Sequence, residues 1–202
     1  MRALILNCTL KSSPETSNTE ALLDVVAEAL RGHGIDVDVV RIVDHDVKPG
    51  VTNDEGDGDE WPAILSFVRN SEILVIATPT WLGQPSSVAK RVLERMDALI
   101  SETNDDGLPF AYNRVGGIVV TGNEDGAHHV IAEVAQSLID IGYTVPGQGW
   151  TYWNKGPGPG EEEYASSDEQ DWSKETGEAC AHNLVAVAGA LAERPIPKPP
   201  NA

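Results

Sequence analysis

The stretch that decides the fold runs from residue 2 to residue 33. It reads Arg2-Ala3-Leu4-Ile5-Leu6-Asn7-Cys8, then Thr9-Leu10-Lys11-Ser12-Ser13-Pro14-Glu15-Thr16-Ser17, then Asn18-Thr19-Glu20 onward to Arg31-Gly32-His33. The first part is a short, branched-rich apolar run of the kind buried on both faces of a sheet. The second is a polar connection dense in hydroxyls. The third places Leu22, Val25, Val26, Ala29 and Leu30 on one side of a helix, which Gly32 and Gly34 end. A buried strand that leads directly into an amphipathic helix opens a strand–helix–strand unit.

The rest of the chain repeats the alternation. Residues 36–43 alternate around Val37 and Val39 as an edge strand does, and a helix is expected over Trp61–Arg69. Residues 72–78 (EILVIAT) form the second strongly apolar strand. Pro85 to Ile100 has helical spacing, with Val88, Val92, Leu93, Met96 and Leu99 inward. Residues 115–121 (VGGIVVT) are a third buried strand, followed by a helix over Ala127–Ile141. Tyr143–Pro146 reads as a short fifth strand and Gly177–Glu193 as the last helix. The tail from Arg194 to Ala202 holds four prolines and is expected to be extended or disordered. The expectation is one α/β domain over residues 1–193: a doubly wound, five-stranded parallel sheet with helices on both faces and right-handed crossovers. Ligands of such sheets lie at the carboxyl ends of the strands, where strand order reverses.

Composition narrows the function. At 202 residues and 41% hydrophobic, the chain is long enough for one ordinary core and too apolar for wholesale disorder. There is no run of about 18 apolar residues, and the apolar N-terminal stretch is too short for a signal peptide, so a cytoplasmic protein without a membrane span is expected. Fourteen basic residues against 32 acidic ones give a net charge of −18. That field keeps the chain soluble and repels nucleic acid and anionic lipid. Cys8 and Cys180 are far apart and show no CxxC spacing, so there is no zinc or iron–sulfur signature.

Three connections follow the three most apolar strands. In the first, Thr9, Ser12, Ser17 and Thr19 offer hydroxyls and Lys11 a positive charge, while backbone N–H groups at the helix start favour an anion. Ser17 or Asn18 also serves as a helix cap whether or not a ligand is present. The loop contains no glycine, which separates it from Walker and Rossmann fingerprints. In the second, Thr78-Pro79-Thr80-Trp81-Leu82-Gly83-Gln84, Pro79 stiffens the backbone, Gly83 permits close approach and Trp81 offers a flat face. A rigid wall and backbone groups along a polar edge suit a flavin ring; a core-filling Trp in a tight turn is the plainer account. The third, Thr121-Gly122-Asn123-Glu124-Asp125-Gly126-Ala127-His128-His129, is placed to line the ring's pyrimidine edge. Adjacent histidines diverge on a helix, so they do not form a metal pair, and His129 is the one expected to face the site.

On Asn7-Cys8-Thr9-Leu10-Lys11, Ser17-Asn18-Thr19, Pro79-Thr80-Trp81-Leu82-Gly83 and Thr121-Gly122-Asn123, the sequence resembles the flavodoxin-like NAD(P)H-dependent FMN and quinone reductases over residues 1 to about 145. Cys8 stands where many relatives have Gly, and Lys11 replaces the commoner Arg. The resemblance implies a flavodoxin-like fold and non-covalent FMN, with NAD(P)H as transient co-substrate and a quinone, flavin or similar small molecule as acceptor. It assigns the cofactor to Thr9, Lys11, Ser17, Asn18, Thr19, Pro79–Gly83, Thr121, Gly122 and Asn123, and the loop chemistry adds Ser12, Gly126 and His129. The cofactor does the chemistry, so no catalytic side chain is named. The alternative is a flavodoxin-type electron carrier, which the −18 charge suits; a flavin-free interaction module with the same fold ranks below both.

Two segments stand apart. Asn53–Gly58 has faint calcium-loop spacing, but Ile64 stands where the bidentate Glu belongs, so it reads as a solvated acidic loop. Residues 147–172 form an irregular arm or lid. Trp150, Tyr152 and Trp153 fall within four positions there, ahead of Gly156-Pro157-Gly158-Pro159-Gly160. An exposed aromatic cluster needs a covering surface. The expectation is that residues 147–165 cross to a second subunit and cover its flavin, making at least a homodimer.

Overall fold

β1, Arg2–Asn7, is buried along almost its whole length, and its alternation decides the layers. Leu4 and Leu6 join one apolar cluster, with Trp61, Ile64, Leu65 and Val68 among its members. Ala3 and Ile5 join a second, with Leu22, Val26, Leu30 and Leu184. A strand with core on both faces needs helices on both sides. In the computed structural model, which describes residues 1–156 and 160–198, they are present. α1 (Asn18–Gly32) and α5 (Asp171–Glu193) cover one face; α2 (Trp61–Arg69), α3 (Ser87–Met96) and α4 (Ala127–Ile141) cover the other.

The sheet order is β2 (Asp36–Arg41), β1, β3 (Ile73–Trp81), β5 (Val115–Gly122), β6 (Trp150–Asn154), and all these neighbours are parallel. The chain leaves β1 in one direction to reach β2 and returns to β3 on its other side, so the order reverses between β1 and β3. The five-stranded doubly wound sheet expected from the sequence is therefore the observed one. A short antiparallel addition, β4 (Gln84–Pro85), folds back on the end of β3.

The structure corrects several boundaries. The fifth parallel strand is Trp150–Asn154 and not Tyr143–Pro146, where Thr144 makes only an isolated bridge to Val115. Tyr143 instead sinks into the core. Pairing is settled by the free edge of β5, whose residues Ile118 to Gly122 take Trp150 to Asn154 in register. The last helix begins at Asp171, six residues ahead of the expected start. Its polar opening hides the apolar period, yet Ser173 is buried there and its carbonyl accepts from Thr151 Oγ1 at 2.9 Å. α3 ends at Met96 and a short 3-10 turn continues to Ser101.

The aromatic rings on which the expectation of an arm crossing to a partner rested are covered within the chain. Trp153 is buried in the chain's own core and its ring lies 5.6 Å from that of Tyr164. Trp150 and Tyr152 are half-buried, stack on each other and meet His128 edge-on. These rings already have a covering surface within the chain. The middle of the Gly156–Gly160 stretch, residues 157–159, lies outside the described residues, as does the tail beyond Lys198; before that, Ile196 N–H donates to Asn113 at 2.7 Å. Among the described residues no helix is long and apolar enough to cross a membrane.

Candidate functional site

The carboxyl ends of β1, β3 and β5 open into one cleft of about 510 Å³ of empty space, partly open to solvent. From the first connection it takes Thr9, Leu10, Lys11, Ser17, Asn18 and Thr19; from β3, Pro79, Thr80 and Trp81; from β5 and the loop after it, Thr121, Gly122 and Asn123. Glu163 completes the wall. Of the residues expected from sequence, Ser12, Leu82, Gly83, Gly126 and His129 do not line it.

The first connection is held from beneath. Ser17 caps α1, its hydroxyl oxygen accepting from Glu20 N–H at 3.2 Å, in an S-x-x-E arrangement. The Glu20 side chain turns to Arg41 instead of back to the cap. Arg41 also donates to the carbonyls of Lys11 at 3.3 Å and Glu15 at 3.0 Å. Asp44 accepts from the Ser13 hydroxyl at 2.6 Å and from the Ser13 N–H at 2.8 Å, and these bonds hold its carboxyl below the usual range. Sequence reading missed Arg41. Its position at the carboxyl end of an edge strand was the available signal, since that is the rim where the site had to be.

What the connection leaves unpaired is telling. Among the described residues no acceptor meets the N–H groups of Asn18 and Thr19, which point out of the first turn of α1. The Ser17 and Thr9 hydroxyl oxygens each accept a backbone N–H, Thr9 from Lys11 at 3.3 Å, which leaves their own protons free. Thr19 and Thr121 hydroxyls meet at 2.9 Å and tie α1 to the end of β5. Among the described residues the Thr80 hydroxyl and the Asn7 amide nitrogen are buried without a partner. An unpartnered polar atom that lines the cleft, such as the Thr80 hydroxyl, is free to meet a ligand.

The second connection is a hairpin. Leu82 and Gly83 both have positive φ, 52° and 72°, as a two-residue turn between antiparallel strands requires. The turn lifts Trp81 and Leu82 into solvent at 54% and 91% exposure. Gly126 explains itself by close approach: a Cβ there would lie 2.8 Å from Gly83 Cα. His129 bonds Gln84 at 3.0 Å, and Gly83 N–H donates to Glu124 at 3.3 Å. Gly126 and His129 thus prop the hairpin against α4 and do not face the cleft. His128 lies against Tyr152 at 5.0 Å.

Burial pushes the Cys8 thiol well above its ordinary range, so it stays protonated and is no nucleophile. Cys180 is likewise pushed up to about 12 by burial. Among the described residues no three His, Cys, Asp or Glu side chains are grouped to hold a metal ion. The cleft offers N–H and O–H donors, one cation and a rigid aromatic rim: an anion subsite beside a flat, half-apolar slot.

The profile of the NADPH-dependent FMN reductase family matches residues 1–158. The chain is 42% identical over 198 residues to the divalent metal cation transporter MntH of Mycobacterium bovis, covering 95% of this chain and 29% of that protein. It is 41% identical over 172 residues to 8-demethyl-8-aminoriboflavin-5'-phosphate synthase of Streptomyces davaonensis, covering 79% of this chain and 66% of that enzyme. The chain therefore spans less than a third of the first relative and about two thirds of the second. RosB with its bound intermediate 8-demethyl-8-formylriboflavin-5'-phosphate superposes with a TM-score of 0.89 at 35% identity, over 97% of this chain and 82% of that one. An archaeal flavodoxin, at 13% identity and a TM-score of 0.56, shares the flavodoxin-like fold.

Proposed function

This chain belongs to the NADPH-dependent FMN reductase family, and from that premise we propose that it acts in the cytoplasm as an FMN-dependent oxidoreductase, passing electrons from NAD(P)H to a quinone, a flavin or a similar small acceptor. The observation that carries this reading is the donor set at the carboxyl rim: free Asn18 and Thr19 N–H groups, free Thr9 and Ser17 hydroxyl protons, and the Lys11 ammonium. That set fits a phosphate monoester, and the unpartnered Thr80 hydroxyl fits a polar ring or chain atom.

In this reading the first connection takes the phosphate, with Ser12 at its outer margin. Pro79, Thr80 and Trp81 form one wall of the ring slot and Thr121, Gly122 and Asn123 the other. Leu82 and Gly83 shape the hairpin, with Gly126 and His129 holding it in place. Trp81 excludes water from one face of the ring. Bound FMN supplies the hydride and electron chemistry. The protein's part is binding, orientation and an open side where nicotinamide and acceptor enter by turns, so no side chain is required to move a proton.

One specific observation favours a second reading, in which the flavin is the substrate altered. The chain superposes on RosB over 97% of its length. The two readings part in one experiment. Apoprotein is titrated with FMN and riboflavin by fluorescence quenching, then supplied with NADPH and a quinone under nitrogen. Preference for FMN, sustained NADPH oxidation and an unaltered flavin mass are expected. Equal affinity for riboflavin would remove the phosphate role of residues 9–19. FMN binding without NAD(P)H oxidation would leave a carrier, and a changed flavin mass would favour the second reading. For assembly, the outer edge of β6 beside half-exposed Trp172 is where a second copy would add, which light scattering reads.

A further inference from the structure

Residues 160–165 of the arm are tied beside their own chain's cleft, and Glu163 lines it. Two backbone-level clasps hold this segment: Gly160 N–H donates to the Asn123 carbonyl at 2.9 Å, and the Asn123 side-chain amide returns a bond to the Gly160 carbonyl at 2.7 Å. Further on, Ala165 N–H donates to Asn18 Oδ1 at 3.1 Å. Tyr164, buried, is packed on Trp153. These anchors stand at both ends of Glu163.

Glu163 is the acidic residue of the Glu161-Glu162-Glu163 run that enters the cleft. Glu162 is taken up by Lys155 at 2.9 Å and by Ser167, while Glu161 lies in solvent. The Glu163 carboxylate accepts from the Asn18 side-chain nitrogen and stands 3.9 Å from Lys11 Nζ. So the cation of the phosphate subsite and the first residue of α1 are both engaged by a carboxylate of the same chain. An anion already sits where the ligand's anion is to go.

Resting on the reading that the cleft takes FMN, we infer that Glu163 is an internal anion that competes with the flavin's phosphate for Lys11 and Asn18, so that flavin is held exchangeably and not locked in place. The contact is weak enough for that role. Both Glu163 and Lys11 are about half exposed, and exposed ion pairs contribute little. Because Tyr164 and the two clasps fix the backbone, displacement needs only a rotation of the Glu163 side chain. The displaced carboxylate remains beside the phosphate, and the repulsion lowers affinity for FMN without touching riboflavin. An enzyme whose flavin must come and go gains a faster release from this arrangement.

Glu163→Gln isolates the charge, because its amide oxygen still accepts from Asn18. Dissociation constants for FMN and riboflavin are measured by quenching of flavin fluorescence for the wild type, Glu163→Gln, Glu163→Ala and the control Glu161→Gln. The expected result is FMN binding about three- to tenfold tighter in both Glu163 variants, scaled to one exposed charge contact. Riboflavin stays within about twofold, the Glu161→Gln control does not move, and FMN release slows in step with affinity. FMN binding that is unchanged or weaker in Glu163→Gln overturns the inference alone, provided the wild type prefers FMN. Equal tightening of riboflavin, or the same gain from Glu161→Gln, overturns it as well. If neither wild type nor variants bind FMN, the proposed function falls and the inference falls with it.

Discussion

The connection over residues 45–60 and the connection over residues 8–19 are both polar and both end at a helix, yet they dispose of their polar groups in opposite ways. The first turns inward. Arg95, fully buried on α3, donates to the Asp59 carboxylate at 2.7 and 3.0 Å and to the carbonyls of Lys48 and Thr52. Asp59 also accepts from the N–H groups of Glu55, Trp61 and Lys48. Glu55 closes on Thr52 and Asp54 on Gly56. Glu55 and Asp59, two of the acids of this loop, are thus engaged within it. Around residues 8–19 the framework bonds are made by Arg41 and Asp44 from outside, and the inner N–H and O–H groups stay free. The Arg95–Asp59 network gives the first loop its shape, and the free donors of the second face the cleft.

The largest effect expected to test this contrast comes from Arg95→Met. It leaves the Asp59 carboxylate buried without its partner, which costs about 3–5 kcal/mol. Urea unfolding should show that loss, while the folded fraction binds FMN with unchanged affinity. A shift in flavin affinity would break the division between the two loops.

The next test is acid. Burial by itself pushes the Asp59 carboxyl up, but the Arg95 and backbone hydrogen bonds outweigh it and hold the group well below its ordinary range. A depressed folded-state pKa means stabilisation that is complete above the unfolded value near ~4 and is lost as pH falls below it. The stability gap between wild type and Asp59→Asn, measured by denaturation, should therefore narrow between about pH 5 and pH 3. A constant gap would mean that the charge of Asp59 does not matter.

On the side of the open network the effects are smaller and fall on binding. Trp81 is more than half exposed, so Trp81→Ala should leave thermal stability nearly unchanged. It should weaken FMN and riboflavin alike by about 2 kcal/mol, the loss of one apolar face. Lys11→Ala should weaken FMN by about 1–2 kcal/mol and leave riboflavin alone, as a single charge-assisted contact would. Loss of riboflavin affinity in Lys11→Ala would place Lys11 at the ring end and sharpen the map of the cleft.

Much of this was legible in residues that report locally. The unbroken apolar runs at 2–8, 72–78 and 115–121 could be strands only of a covered parallel sheet, and the helices between them fixed its winding. The sheet rule then pointed to Thr9, Ser17 and Asn18, Thr80 and Trp81, and Thr121 to Asn123, which do meet at one cleft. His129 and Gly126 belonged to the right loop but not to the right side of it, because a hairpin at Leu82–Gly83 came between them and the cleft.

By itself the sequence determined the class of fold, the rim where the cleft opens and the kind of cofactor, since burial periodicity and loop chemistry are properties of neighbouring residues. Tertiary structure alone decided which segment takes the last edge of the sheet, that Arg41 supports the first connection, and that Glu163 reaches Lys11 across 152 positions of sequence. The physical reason is common to all three. Strand pairing and ion pairing depend on separation in space, and no local pattern records a separation that only the completed sheet brings about.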